Sequence, residues 1–215
     1  MLSRLLDTPW KLTNEIRRWL LLPWVWLSFT FRGIRWGRGW RLYGMPIIQR
    51  HQDSVIQFGP RLQLRSTLRS NPLGPNHPVF LTTWQAGAVL KVGADFGMTG
   101  GVICAAESIT IGDRVAIGAN TTIIDTDFHP LDARWRQEHP ADARTAPIVI
   151  EDDVFVGMHC LILKGVRLGQ GCVIGAGSVV TKDVAPGMIV AGNPARPVGQ
   201  VTGQVEHLLS KANDR

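Results

Sequence analysis

The sequence predicts an all-β protein: a parallel β-helix, or hexapeptide-repeat solenoid, with a helical or amphipathic N-terminal extension and a loop protruding from the coils. Three observations carry that prediction. An aliphatic residue recurs every sixth position, the recurrence is interrupted once by a polar stretch, and tryptophan and arginine crowd the start of the chain.

The repeat is clearest from Ile150 onward, where Val156, Ile162, Leu168, Ile174 and Val180 continue one unbroken aliphatic row. A helix repeats its apolar face near 3.6 residues and a strand at 2, so neither produces a strict six. In a parallel β-helix each hexapeptide forms one short side of a coil, and stacked coils share a continuous core. A second row of modest size, Val154, Cys160, Val166, Cys172 and Ser178, runs four residues behind the first. Residues just after the row include Gly157, Gly169 and Gly175, where glycine is expected to permit corner conformations. Ile111, Ile117 and Ile123 continue the phase upstream.

The chain divides accordingly. Residues 1–45 form a basic, Trp-rich extension, residues 46–198 the β-helix with a loop over 125–147, and residues 199–215 a tail expected to be helical. Short aliphatic runs in "MPIIQRHQDSVIQFGPRLQL" read as early coils, and "RSTLRSNPLGPNHP" as a loop.

The formal net charge is +6. The first 50 residues hold nine Lys or Arg against two Asp or Glu, a balance of +7, which leaves the rest at −1. Basicity therefore belongs to the extension, and the repeat carries no nucleic-acid-reading motif. Six of the eight tryptophans also fall before residue 41. The uncharged run Leu20–Phe31 is too short to span a bilayer, which takes about 20 residues, and no small-residue cleavage site follows it. Two readings stand side by side: contact with a membrane interface, or a cap on the open end of the solenoid. Three cysteines cannot all pair, and Cys104, Cys160 and Cys172 read as reduced core thiols of a cytoplasmic protein.

"IGDRVAIGAN", "VFVGMHCLILKGVRLGQGCVIGAGSVVTKD" and "AGNPARPV" resemble the hexapeptide-repeat acyltransferases, most closely the sugar and polysaccharide O-acetyltransferases, over roughly residues 76–200. The resemblance implies a left-handed β-helix, a homotrimer, and acetyl-CoA bound between subunits as acyl donor. Transfer to an alcohol needs a base to take the hydroxyl proton, and histidine suits that task near neutral pH. His129 in "DFHP" occupies the family's general-base position. Asp125 and Asp127 precede it at two-residue spacing, which in an extended chain puts all three on one side. Asp127 is then a candidate to orient the imidazole or simply to solvate the loop, and Asp125 a candidate substrate contact. Glu138 falls near a family loop glutamate that assists the base, Arg134 fits a loop arginine that contacts sugar or phosphate, and Phe155 stands at the substrate where the family often has tryptophan. Gly157 would let the donor approach the backbone. The resemblance places pantetheine along Ala176, the adenosine and phosphate end at Thr181 and Lys182, and a second cation at Arg196.

The implied activity is acetyl-CoA-dependent O-acetylation of a sugar hydroxyl in a surface polysaccharide, nucleotide sugar or lipid-linked glycan, by a protein resting on the inner membrane face. The alternatives are N-acetylation of an amino sugar or a non-catalytic trimeric scaffold. A zinc site needs three histidines with suitable spacing, which the later coils lack, so no metal is expected.

Overall fold

The protein is described from a computed structural model covering residues 8–201. Beginning with Arg41–Tyr43, Ile47–Arg50 and Val55–Phe58, the chain visits three sheets in turn, here A, B and C. Sheet A has eight strands, B six and C five. All strand pairings are parallel until the closing hairpin, where Met188–Ala191 pairs antiparallel with Arg196–Gln200. This is a left-handed parallel β-helix, with the hand implied by the resemblance.

The six-residue row is the core. Ile111, Ile117, Ile123, Ile150, Val156, Ile162, Leu168, Ile174 and Val180 are all buried and belong to one continuous cluster. The second row is buried as well, and the cysteines among it are free thiols.

The glycines that follow the row need a different explanation from corner conformations. The left-handed backbone occurs three residues after the row, at Arg114, Asn120, Asp153, His159, Gly165, Gly171 and Gly177. The glycines immediately after the row are small because the next coil stacks on them. A Cβ at Gly118 would lie 2.4 Å from Met158 N, and one at Gly157 2.5 Å from Ala176 N.

The first coil begins at Arg41, inside the stretch read from sequence as extension. Residues 66–78 form the expected loop. The helix expected over 199–215 lies outside the described residues, except that Gln200 still ends the hairpin strand.

Ahead of the coils runs α1 (Pro9–Phe31), with Pro23 inside it. It lies across the N-terminal end of the solenoid and touches the first strand of all three sheets. Glu15 Oε1 accepts from Arg41 at 2.7 Å and from Tyr43 at 2.6 Å on sheet A. Arg32, just past the helix, donates to Ile48 O on sheet B at 2.9 Å, and Phe29 packs on Phe58 of sheet C with ring centroids 6.3 Å apart. Val25 and Phe29 are fully buried, and Trp36 and Trp40 close round them. The capping role of the aromatic extension is therefore realised.

Candidate active site

The polar interruption leaves the solenoid at the corner between sheets B and C, after Thr121–Ile124 and before Ile148–Ile150. Its stem is held by a bridge between Thr126 and Thr145 and by Asp127 N donating to Arg144 O at 3.0 Å. Thr145 Oγ1 reaches Glu107 Oε2 at 2.6 Å, tying the stem to the coil above. At the tip is a short helix, α2 (Ala133–Glu138), whose N-cap Asp132 accepts from Trp135 N at 2.8 Å.

His129 is exposed at the mouth of a cleft of about 380 Å³ lined by Trp84, Gln85, Phe128 and the Pro140–Ala141 stretch. Its Nδ1 lies 3.2 Å from the carbonyl oxygen of Pro140. A carbonyl only accepts, so Nδ1 must hold the proton and Nε2 carries the free lone pair. Trp84 and Phe128 meet edge to face beside it, with centroids 6.0 Å apart, forming an aromatic wall.

The carboxylates expected around this histidine do other work. Asp125 is wholly buried, and its side chain accepts from the amides of Ala106, Glu107 and Ser108 at 2.6, 2.9 and 2.8 Å. Burial pushes its carboxyl up against the pull of those three donors. It pins two coils together and cannot meet a substrate, which corrects the sequence expectation. Asp127 pairs with Lys164 at 2.6 Å, so the Pro140 carbonyl fixes the tautomer in its place. The other oxygen of Asp127, Oδ2, is buried without a hydrogen-bond partner among the described residues. Glu138 binds Arg134 at 3.0 Å, one turn apart on α2, and among the described residues neither bonds to His129.

The predicted donor-binding residues divide between two edges. Thr181 and Lys182 follow a sheet B strand, on the same edge as His129 and Lys164. Lys182 and Arg196 line one cleft of about 430 Å³ with Val180, Val184, Met188 and Val190. Among the described residues neither cation has an acidic partner. Gly157 and Ala176 sit on the opposite side of sheet B, at its corner with sheet A, and contact each other, so stacking accounts for the glycine. Phe155 faces outward from sheet A, half exposed, and one chain does not bring it to His129.

Sequence reasoning missed Trp84, Phe128, Pro140 and Lys164. One signal was available: Lys164 and Lys182 are 18 residues apart, one full coil, and therefore stack on one edge. The contacts across the loop had none. The cysteines make poor nucleophiles, since burial pushes the Cys104 and Cys172 thiols to about 11 and raises Cys160 as well.

Residues 147–182 match the family model described as the hexapeptide repeat of succinyl-transferase. The galactoside O-acetyltransferase of Escherichia coli is 38% identical over 104 residues, covering 48% of this chain and 50% of that one. A hexapeptide-repeat acetyltransferase of Vibrio cholerae, solved with acetyl-CoA, is 30% identical across 73% of this chain and 72% of its own, with a TM-score of 0.48. An N-acyltransferase of Bacillus cereus, solved with an amino-sugar nucleotide and coenzyme A, shares the fold at TM-score 0.60 and 14% identity, over 84% and 89% of the two chains. The chain spans about half the length of the curated relatives it matches. Repeat, fold and relatives agree: the chain belongs to the hexapeptide-repeat acyltransferase family.

Proposed function

We propose that this protein is an acetyl-CoA-dependent O-acetyltransferase acting on a sugar hydroxyl of a nucleotide-linked or lipid-linked glycan destined for a surface polysaccharide. The observation that carries this reading is the anchoring of His129 Nδ1 on the Pro140 carbonyl, which leaves Nε2 as a free base facing an aromatic-walled cleft. Trp84 and Phe128, set edge to face, give the cleft an apolar wall against which a pyranose ring can pack. Nε2 takes the proton of the attacking hydroxyl as its oxygen forms the new ester bond. The same nitrogen returns that proton to the departing sulfur as the thioester bond breaks, leaving the histidine unchanged. Acetyl-CoA supplies the activated acyl group.

The residues present suit such a donor. The cleft beside Lys182 and Arg196 combines an apolar wall with two cations that have no acidic partner among the described residues, which fits a ligand with a thin apolar arm and phosphate groups.

The proposal includes a homotrimer in the cytoplasm. Support for self-association comes from sheet B, whose outward side carries Ile47, Phe80, Val102, Thr122, Leu161 and Val179 in one continuous register. A mainly apolar ladder running the height of the solenoid suits burial against a second copy. In such an assembly Phe155 and Ala176 of one subunit would complete the site of another.

His129→Ala tests the reading. With acetyl-CoA and a panel of nucleotide sugars, the variant is expected to lose about 10²- to 10⁴-fold in kcat, while its assembly and thermal unfolding stay as in the parent. Unchanged turnover would remove the assigned base.

A further inference from the structure

We propose that α1 docks the protein on an anionic lipid surface, lying in the interfacial plane while it caps the solenoid. This rests on the helix and the basic segment that follows it and is independent of the transferase reading.

The argument begins with an inversion of the helix's polarity. An amphipathic helix on a globular protein ordinarily turns its apolar stripe to the core and its polar side to water. Here the N-terminal half turns its polar side inward: Asn14 donates to Arg69 O at 2.8 Å, and Glu15 is held by Arg18, Arg41 and Tyr43. The opposite side, at the helical spacing of Leu12, Ile16, Trp19, Leu20, Trp24 and Phe31, faces outward. Exposure reaches 61% for Trp19, 70% for Leu20, 65% for Trp24 and 83% for Phe31. Twenty-three residues make a rod of about 35 Å, and Thr13, Arg17, Pro23 and Thr30 interrupt its apolar side. A face of that length carrying so many exposed large apolar side chains marks a surface that meets something other than water.

Charge indicates the occupant. Among the described residues Arg17, Arg35 and Arg38 are exposed and carry no acidic partner. Over residues 8–50 there are eight Lys or Arg and one acid, Glu15, which is already taken up by two arginines. Exposed tryptophans flanked by unpaired arginines match the chemistry of an anionic bilayer interface, where indoles sit at headgroup depth and guanidinium groups meet phosphate. No helix among the described residues is long and apolar enough to cross a membrane. A helix bound in plane, 5–10 Å deep in order of magnitude, fits that composition. Because α1 lies across the end of the coils, docking would stand the solenoid upright. The His129 loop leaves the fourth coil, about 15 Å beyond the first at the ordinary strand spacing.

Flotation of the full chain with vesicles of phosphatidylcholine and phosphatidylglycerol tests this, with pure phosphatidylcholine as the comparison. The wild type is expected to float with the mixed vesicles, with a blue shift of tryptophan emission, and to float less in high salt and on pure phosphatidylcholine. Trp19→Ser combined with Trp24→Ser should weaken flotation about tenfold or more without altering thermal unfolding, since both side chains are exposed. Arg35→Ser with Arg38→Ser should remove most of the salt-sensitive part. Absence of flotation, or flotation that neither pair alters, would overturn the proposal. So would a smaller oligomer for the tryptophan pair in a protein that does not float, which would assign the face to a second copy.

Discussion

Lys164 reaches across the edge of the solenoid to Asp127, with Nζ 2.6 Å from Oδ1, and so ties the root of the histidine loop to the next coil. Both side chains are mostly buried. Lys164→Met would leave the Asp127 carboxylate without its partner, at a cost of about 1–3 kcal/mol. Thermal unfolding should show that loss, and kcat should fall more than acetyl-CoA affinity because the loop carries the base and not the phosphate contacts. Equal changes in both would place Lys164 outside loop positioning.

Asp125 joins the loop root to the Ala106–Ser108 turn through three amide donors. Asp125→Ala removes the acceptor from all three, of which the Ala106 amide is buried, so a destabilisation of about 1–3 kcal/mol is expected in urea unfolding. Asp125→Asn keeps an acceptor oxygen and should lose less. A neutral alanine variant would refute the pinning role.

Two glycine substitutions separate close stacking from mere coil propensity. Gly118→Ala would push a methyl group to 2.4 Å from Met158 N, and should cost about 1–3 kcal/mol. Gly97→Ala meets nothing within 4 Å and should be neutral or slightly stabilising. Equal losses would mean that stacked coils do not require the glycine.

Alkaline pH should weaken the fold through the core thiols. Unfolded cysteines ionise near 9, whereas burial holds Cys104 and Cys172 protonated until about 11. Between those values the folded state binds more protons than the unfolded one, so stability falls as pH rises. Urea midpoints measured at pH 8 and pH 10 should drop, and Cys104→Ala with Cys172→Ala should flatten the drop. At pH 8 the native thiols should resist a thiol-reactive reagent that labels the unfolded chain.

Lys182 and Arg196 share a cleft and carry no acidic partner among the described residues. Replacing either with alanine should weaken acetyl-CoA binding about tenfold in calorimetric titration, with thermal unfolding unchanged. Affinity indifferent to both changes would move the phosphate contacts elsewhere.

The sequence by itself determined the solenoid, because a six-residue period fits stacked coils and neither a helix nor a simple strand, and its aliphatic row must face inward on every side of the coil; the hand came from the resemblance. It also placed His129 on a projecting loop and Lys182 one coil below Lys164, since coil length converts residue number into position. Only the tertiary structure decided what the neighbours of His129 do. Asp125, Asp127 and His129 alternate as an extended strand would, yet the chain turns at Phe128, where φ is 60°. One carboxylate goes into the core, the next to Lys164, and the imidazole to a carbonyl eleven residues away. Pairings across a loop depend on how the returning chain folds back over the coil, and no period records that. The same holds for α1, whose composition allowed either a cap or a membrane contact. Its inward polar anchors and outward tryptophans show that capping uses one side of the helix and leaves the other side unsatisfied.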